Sequence, residues 1–194
     1  MARPISYDPH LALERAMDLF WIRGYHAVSV AELVEYTGLN RHSMYARYGS
    51  KYGLLKGALH RYYGEIEQRM REILESPLSP RGRLEALFAM RKPDVEEPFW
   101  RRMLDRGCLA QRTLAELRDA HPELASSMAA YGERLRDLFV ATVRAGQELG
   151  EFRTDRSADE LGRIALSGFA SSLLEPTSPD EQLEKIDAFL GTLN

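Results

Sequence analysis

Between Ser29 and Lys51 the chain reads SVAELVEYTGLNRHSMYARYGSK, with its polar donors gathered toward the second half. Arg41 offers two parallel N–H donors that match a pair of neighbouring acceptors, the geometry of guanine O6 and N7. His42 and Ser43 beside it can bond base edges or phosphate, and the Tyr45 hydroxyl can reach a phosphate oxygen. Lys51 falls at the first turn of a following helix, where its ammonium and the unpaired backbone N–H groups can hold a phosphate together. These groups grip acceptors and anions. Signatures of bond-breaking chemistry are missing from the sequence: there is no G-x-S-x-G elbow, no P-loop, no H-E-x-x-H and no G-x-G-x-x-G. The histidines (His10, His26, His42, His60, His121) include no i,i+4 pair, so a helical metal site has no support. No cofactor is expected.

Gripping a duplex requires that the donors stand on one rigid face. The flanking residues supply that. Ser29 is placed to cap a short helix running through Tyr36, and Gly38 provides the left-handed residue of a tight turn. Asn40 caps a second short helix starting at Arg41. Val30, Leu33 and Val34 face inward from the first helix, and Leu39, Met44 and Tyr48 from the turn onward. This is the layout of a helix-turn-helix, whose second helix lies in a DNA major groove. Charge agrees in sign. Residues 1–61 hold eight Lys/Arg against five Asp/Glu, a balance of +3, although the whole chain of 194 residues stands at −3.

Helix is expected almost throughout. Leu13, Ala16, Met17 and Phe20 make an amphipathic stripe, with Asp8-Pro9 as its start and Gly24 as its stop. After the short pair, helices are expected at about 51–75 (capped by Ser50), 81–91, 98–118, 123–149, 157–174 and 179–192, with Lys92 to Pro98 as a loop. Nine helices account for the length, and no alternating β-branched run supports a sheet. The expected class is all-α: a DNA-binding domain over residues 1–50, then a ligand-binding and dimerisation bundle over 51–194, joined by the helix 51–75. No apolar run approaches the roughly 20 residues of a membrane span, and the first residues do not read as a signal peptide. A single cysteine, Cys108, leaves no internal disulfide. A cytoplasmic protein with no membrane partner is expected.

Residues 8–61 resemble the N-terminal DNA-binding domain of TetR-family transcriptional repressors. The likeness lies in Phe20-Trp21-Ile22-Arg23-Gly24-Tyr25, Val28-Ser29-Val30, Gly38-Leu39-Asn40, Ser43-Met44-Tyr45-Ala46-Arg47-Tyr48 and Ser50-Lys51. Met44 replaces a usual Leu, Asn40 a usual Ser or Thr, and Val34 stands where a small residue is common. The resemblance implies that Tyr45 and Lys51 contact phosphate and that Arg41, His42 and Ser43 face bases. Ser29, Asn40 and Arg47 complete the candidate DNA-binding set. It also implies a homodimer on a pseudo-palindromic double-stranded operator, released by a small-molecule effector that the sequence does not identify. The phrase Ala145-Gly146-Gln147-Glu148-Leu149-Gly150-Glu151-Phe152-Arg153 resembles a turn recurrent in the family between a long helix and the dimer helices.

Two further residue sets follow from the helical stripes. Phe99, Trp100, Met103 and Cys108, with Tyr131, Leu135, Phe139 and Val143, form a candidate effector pocket; the same residues also read as plain core. Leu161, Ala165, Gly168, Phe169 and Ser172, with Leu183, Ile186 and Leu190, form a candidate dimer interface, their spacing and small residues suiting close helix contact. Cys108 reads either as a small buried hydrophobe or as a redox or electrophile sensor. Arg101, Arg102, Arg106 and Arg112 lie near it in sequence, and Arg112, four residues on, is the best-placed helical neighbour. A rival reading takes the chain as a helical small-molecule binder or thiol-dependent enzyme centred on Cys108. It leaves the basic window around Arg41 unexplained.

Overall fold

The computed structural model describes residues 8–90, 97–172, 188 and 191–192, and among them shows nine α-helices and no strand. The chain divides into two compact units. The first takes residues 1–65 and 109–125; the second takes 66–108 and 126–194. This division differs from a cut at residue 50, because a segment from beyond residue 100 belongs with the N-terminal helices.

In the first unit, α1 (Pro9–Arg23) starts where Asp8 accepts the His10 and Leu11 N–H groups, and ends where the Gly24 N–H bonds Phe20 O at 2.8 Å. Next come α2 (Val30–Thr37), α3 (Arg41–Tyr48) and the opening turns of α4 (Lys51–Leu74). The apolar stripe of α1 meets the others: Ala16, Met17, Phe20 and Trp21 are buried with Leu33, Leu39, Met44, Leu54, Leu55 and Tyr62. Trp21 and Tyr62 pack edge to face at 5.1 Å. Burying a side chain the size of Phe20 stabilises by about 1.5–3 kcal/mol. That is comparable to the cost of fixing one or two backbone residues, so a unit this small relies on its caps as well.

A single helix over 98–118 is not what forms. Gly107 adopts φ 73 and its N–H bonds Met103 O at 2.9 Å, closing α6 (Pro98–Arg106) before α7 (Leu109–Leu117) begins. The left-handed turn costs glycine nothing, and the apolar spacing runs on across it. α7 belongs to the first unit and α6 to the second. Of the helix expected at 179–192, only Ala188, Gly191 and Thr192 are described. Most of the expected 92–98 loop also lies outside the described residues; Glu97 caps α6 by accepting the Trp100 N–H at 2.8 Å.

The second unit holds the rest of α4, α5 (Pro80–Ala89), α6, most of α8 (Glu123–Glu148) and α9 (Ala158–Ser172). Its core is aromatic. Phe169 lies 5.6 Å from Phe88, 6.0 Å from Trp100 and 6.2 Å from Phe139, ring centre to ring centre. α8 and α9 approach closely at their backbones: a Cβ on Gly162 would lie 2.8 Å from Val140 N and Cα. The turn between them is built from Gly146, whose carbonyl accepts the Glu151 and Phe152 N–H groups. A Cβ there would meet the Phe152 ring at 2.1 Å.

Candidate nucleic-acid interface

The turn between α2 and α3 is fixed by local hydrogen bonds. Ser29 and Glu32 form a reciprocal capping box at the head of α2: the Glu32 N–H donates to Ser29 Oγ at 3.2 Å, and the Ser29 N–H donates to Glu32 Oε2 at 2.8 Å. Arg23 ion-pairs with the same carboxylate, tying the end of α1 to α2. Those bonds, that from the Ser29 backbone first, hold the Glu32 carboxyl down from 4.5 to about 2. At the other end of α2 the buried Thr37 hydroxyl donates to Leu33 O at 2.5 Å and accepts the Leu39 N–H at 3.2 Å. Gly38 follows at φ 73 and ψ 6. Asn40 Oδ1 then accepts the Ser43 N–H at 2.7 Å and starts α3.

α3 is held by few apolar side chains and shows most of its surface. Leu39 and Met44 are buried with Leu33, while Val30, Val34 and Tyr48 are half-buried. Arg41, His42, Tyr45, Ala46 and Arg47 are exposed, and Ser43 is half-buried. Of the residues expected to face bases, Arg41 and His42 stand on the open side of the helix, and the expected phosphate contact Tyr45 is 44% exposed. Ser29 and Asn40 have structural work: each side-chain oxygen accepts the backbone N–H three residues on.

Lys51 begins α4, whose start Ser50 caps by accepting the Gly53 N–H at 3.0 Å. Its ammonium sits 4.3 Å from the centre of the Tyr25 ring. Partial burial pushes the Lys51 pKa down, and the Glu116 and Glu32 carboxylates oppose that shift. Gly53 is a residue that periodicity does not reveal. A Cβ there would lie 1.8 Å from Tyr48 O, so only glycine lets the first turn of α4 come this close to the last turn of α3.

α7 adds a second layer that sequence reading missed. Glu116 Oε2 accepts the Tyr25 N–H at 2.8 Å and the His26 N–H at 3.3 Å. Arg112 donates to Trp21 O at 2.6 Å. Tyr52 donates to Glu123 at 2.6 Å and stacks on His121 at 3.5 Å between ring centres. Burial first, then this bond to a carboxylate, raises the Tyr52 pKa, while the same bond lowers that of Glu123. These partners lie 69 to 91 residues apart and carry no local motif.

The remaining assignments separate. Phe99, Trp100, Met103, Tyr131, Leu135, Phe139 and Val143 are all buried in the second unit. Cys108 is half-buried and immediately precedes α7, outside any helix. The Arg112 guanidinium bonds the Trp21 carbonyl. Leu161, Ala165 and Phe169 are 1%, 0% and 1% exposed in the single chain, so these three belong to its own core and not to a face that a second copy could cover. The stripe that suggested an interface packs on α5, α6 and α8 through Phe169. Gly168 is half-buried. Leu183, Ile186, Leu190 and the Ser172 side chain lie outside the described residues. Among the described residues no group of three His, Cys, Asp or Glu is placed to hold a metal, and no helix is long and apolar enough to cross a membrane.

A capped helix of exposed donors, fixed behind a glycine turn to a three-helix support, defines a helix-turn-helix DNA-binding module. Residues 12–58 match the family described as bacterial regulatory proteins, tetR family, and residues 80–175 match the tetracyclin repressor-like C-terminal domain. The chain belongs to the TetR family of bacterial regulators. The HTH-type transcriptional repressor ComR of Escherichia coli is 47% identical over 60 residues, which cover 31% of this chain and 29% of ComR. The match thus spans under a third of that relative's length. An uncharacterized HTH-type regulator of Bacillus subtilis, YezE, is 28% identical over 166 residues, 81% of each chain. Among solved structures, a cysteine mutant of the TetR family regulator CifR, complexed with 26-bp double-strand operator DNA, superposes with a TM-score of 0.74. It is 27% identical, and the match covers 100% of both chains.

Proposed function

We propose that the chain is a homodimeric transcriptional repressor that binds a pseudo-palindromic operator by inserting α3 into the major groove. The observation that carries this reading is the exposed row on α3, Arg41, His42, Tyr45 and Arg47, above a buried Leu39–Met44 anchor. Arg41 reads a base, with His42 and Ser43 beside it, and Tyr45 and Lys51 hold phosphates. One such helix reads only a few base pairs, so a two-fold dimer is needed to read two half-sites about 34–36 Å apart. The CifR complex with operator DNA supports a duplex as the partner. A small-molecule effector among the buried side chains of the second unit, from Phe99 and Trp100 to Phe139 and Val143, releases the operator. For that it must bind the non-binding arrangement more tightly by a few kcal/mol. Dimerisation runs through the outer side of α9, where Ile164 and Gly168 are half-buried. Nothing among the described residues favours an enzyme centred on Cys108.

The test is capture of genomic DNA by the purified protein, followed by sequencing. A two-fold symmetric motif bound by two chains is expected. Enrichment of no sequence, or of an asymmetric motif bound by one chain, would refute the reading.

A further inference from the structure

We infer that Glu116 on α7 is a positioning residue for the DNA contact of Lys51, and that α7 is thereby a working part of the DNA-binding head. The inference rests on the reading of Lys51 as a phosphate contact. The geometry is a short chain of fixed contacts. Glu116 Oε2 receives the N–H groups of both Tyr25 and His26, the residues that leave α1 through Gly24. Gly24 stands at φ 81, and a Cβ there would lie 2.3 Å from Glu116 Oε1, so the carboxylate seats directly against the turn. The turn carries the Tyr25 ring, and on that ring rests the Lys51 ammonium at 4.3 Å. Arg112 clamps the Trp21 carbonyl one helical turn earlier, which sets α7 against the same end of α1. His26 Nε2 closes the set on the Glu116 carbonyl at 3.4 Å. A carboxylate accepting two backbone N–H groups makes charge-assisted bonds, stronger than neutral ones and exacting in reach.

Glu116 does not touch DNA in this account. It sets where the Tyr25 ring lies, and the ring sets where the ammonium waits. Removing it releases the turn, and Lys51 no longer meets phosphate in register. A simple electrostatic role gives the opposite sign, since deleting a negative charge near the interface raises affinity for any polyanion.

The experiment measures binding to a labelled mixed-sequence duplex by fluorescence anisotropy from 50 to 300 mM salt, because a phosphate contact acts on all sequences alike. Each lost phosphate contact lowers the slope of log affinity against log salt by about 0.9, or about 1.8 for a dimer. Lys51→Ala is expected to show that loss. Glu116→Ala is expected to show the same loss, and the double variant no more than either single. Glu116→Gln keeps an acceptor of the same reach and is expected to keep the slope. Glu116→Asp keeps the charge, falls short by one methylene and is expected to lose it. Thermal melting checks each fold; if Glu116→Ala does not fold, the Gln and Asp variants decide. Additive losses, an unchanged slope in Glu116→Asp, or a rise in affinity in Glu116→Ala would overturn the inference. An unchanged slope in Lys51→Ala would instead remove the reading beneath it.

Discussion

The two compact units hold themselves together differently. The first is organised by polar devices at helix ends: Asp8, Ser29 with Glu32, Asn40 and Ser50 each take a backbone N–H, and Thr37 ties the turn. The second caps its helices too, at Ser79, Glu97 and Ser157, but its core gathers around aromatic volume, with Phe169 against Phe88, Trp100 and Phe139. Directional bonds fix the orientation of a short helix, which a reading head requires. Apolar packing fixes volume and tolerates different shapes. The contrast also says where each unit is fragile.

The largest effect is expected from emptying the aromatic cluster. Phe169→Ala removes a side chain 1% exposed and should cost about 3–5 kcal/mol, read as a fall in the denaturant midpoint at unchanged slope. A loss below 1 kcal/mol would mean that the second unit does not depend on this packing. Next comes a pair of substitutions on one helix. By propensity alone, Gly→Ala within α4 stabilises by about 1 kcal/mol. At Gly64 a Cβ meets nothing within 4 Å, so Gly64→Ala should be neutral or stabilising. At Gly53 the same Cβ would lie 1.8 Å from Tyr48 O, so Gly53→Ala should displace α3 and lower operator affinity at least tenfold. Equal behaviour of the two variants in melting and gel-shift assays would remove the argument for a rigid α3–α4 joint.

Smaller effects test the caps. Ser29→Ala deletes half of the capping box and should cost about 1 kcal/mol by thermal melting. The Glu32 carboxyl, lowered from 4.5 to about 2 in the folded chain, stabilises the folded state fully above pH 4.5. That contribution is lost as pH falls toward 2, because the unfolded chain then binds the proton more readily. Glu32→Gln should therefore flatten the acid limb of the stability curve in that window and leave its shape above pH 5 unchanged. An acid limb as steep as that of the wild type would contradict the capping-box account. The smallest effect belongs to Cys108→Ser, since the residue lies between helices and is half-buried. A melting shift under about 1 kcal/mol and unaltered DNA binding are expected; loss of a response to an alkylating agent would make it a sensor instead.

The same contrast explains what the sequence disclosed. Caps and glycine turns are local, so Asp8, Ser29, Gly38, Asn40 and Ser50 reveal α1 to α4 nearly to the residue. The break at Gly107 escaped because the apolar residues Phe99, Met103, Ala110 and Leu117 keep helical spacing across it, and a lone glycine does not by itself end a helix. The place of α7 escaped because Glu116 and Tyr25 are joined only by the fold. Gly53 looked like any helical glycine; its reason is the carbonyl of another element. Leu161, Ala165 and Phe169 misled in a different way. An apolar stripe states that a face is buried, not by which chain, and here the partner is the protein's own core.

The central claim, that α3 reads DNA, is tested most directly by comparing wild type with Arg41→Ala on the captured operator and on single-base variants of it at fixed salt. Arg41 is exposed on α3 and has a donor pair that suits guanine. The account predicts a loss of about 1–3 kcal/mol on the operator and relaxed preference at one position in each half-site, with non-specific binding little changed. Full affinity and unchanged preference in Arg41→Ala would contradict it.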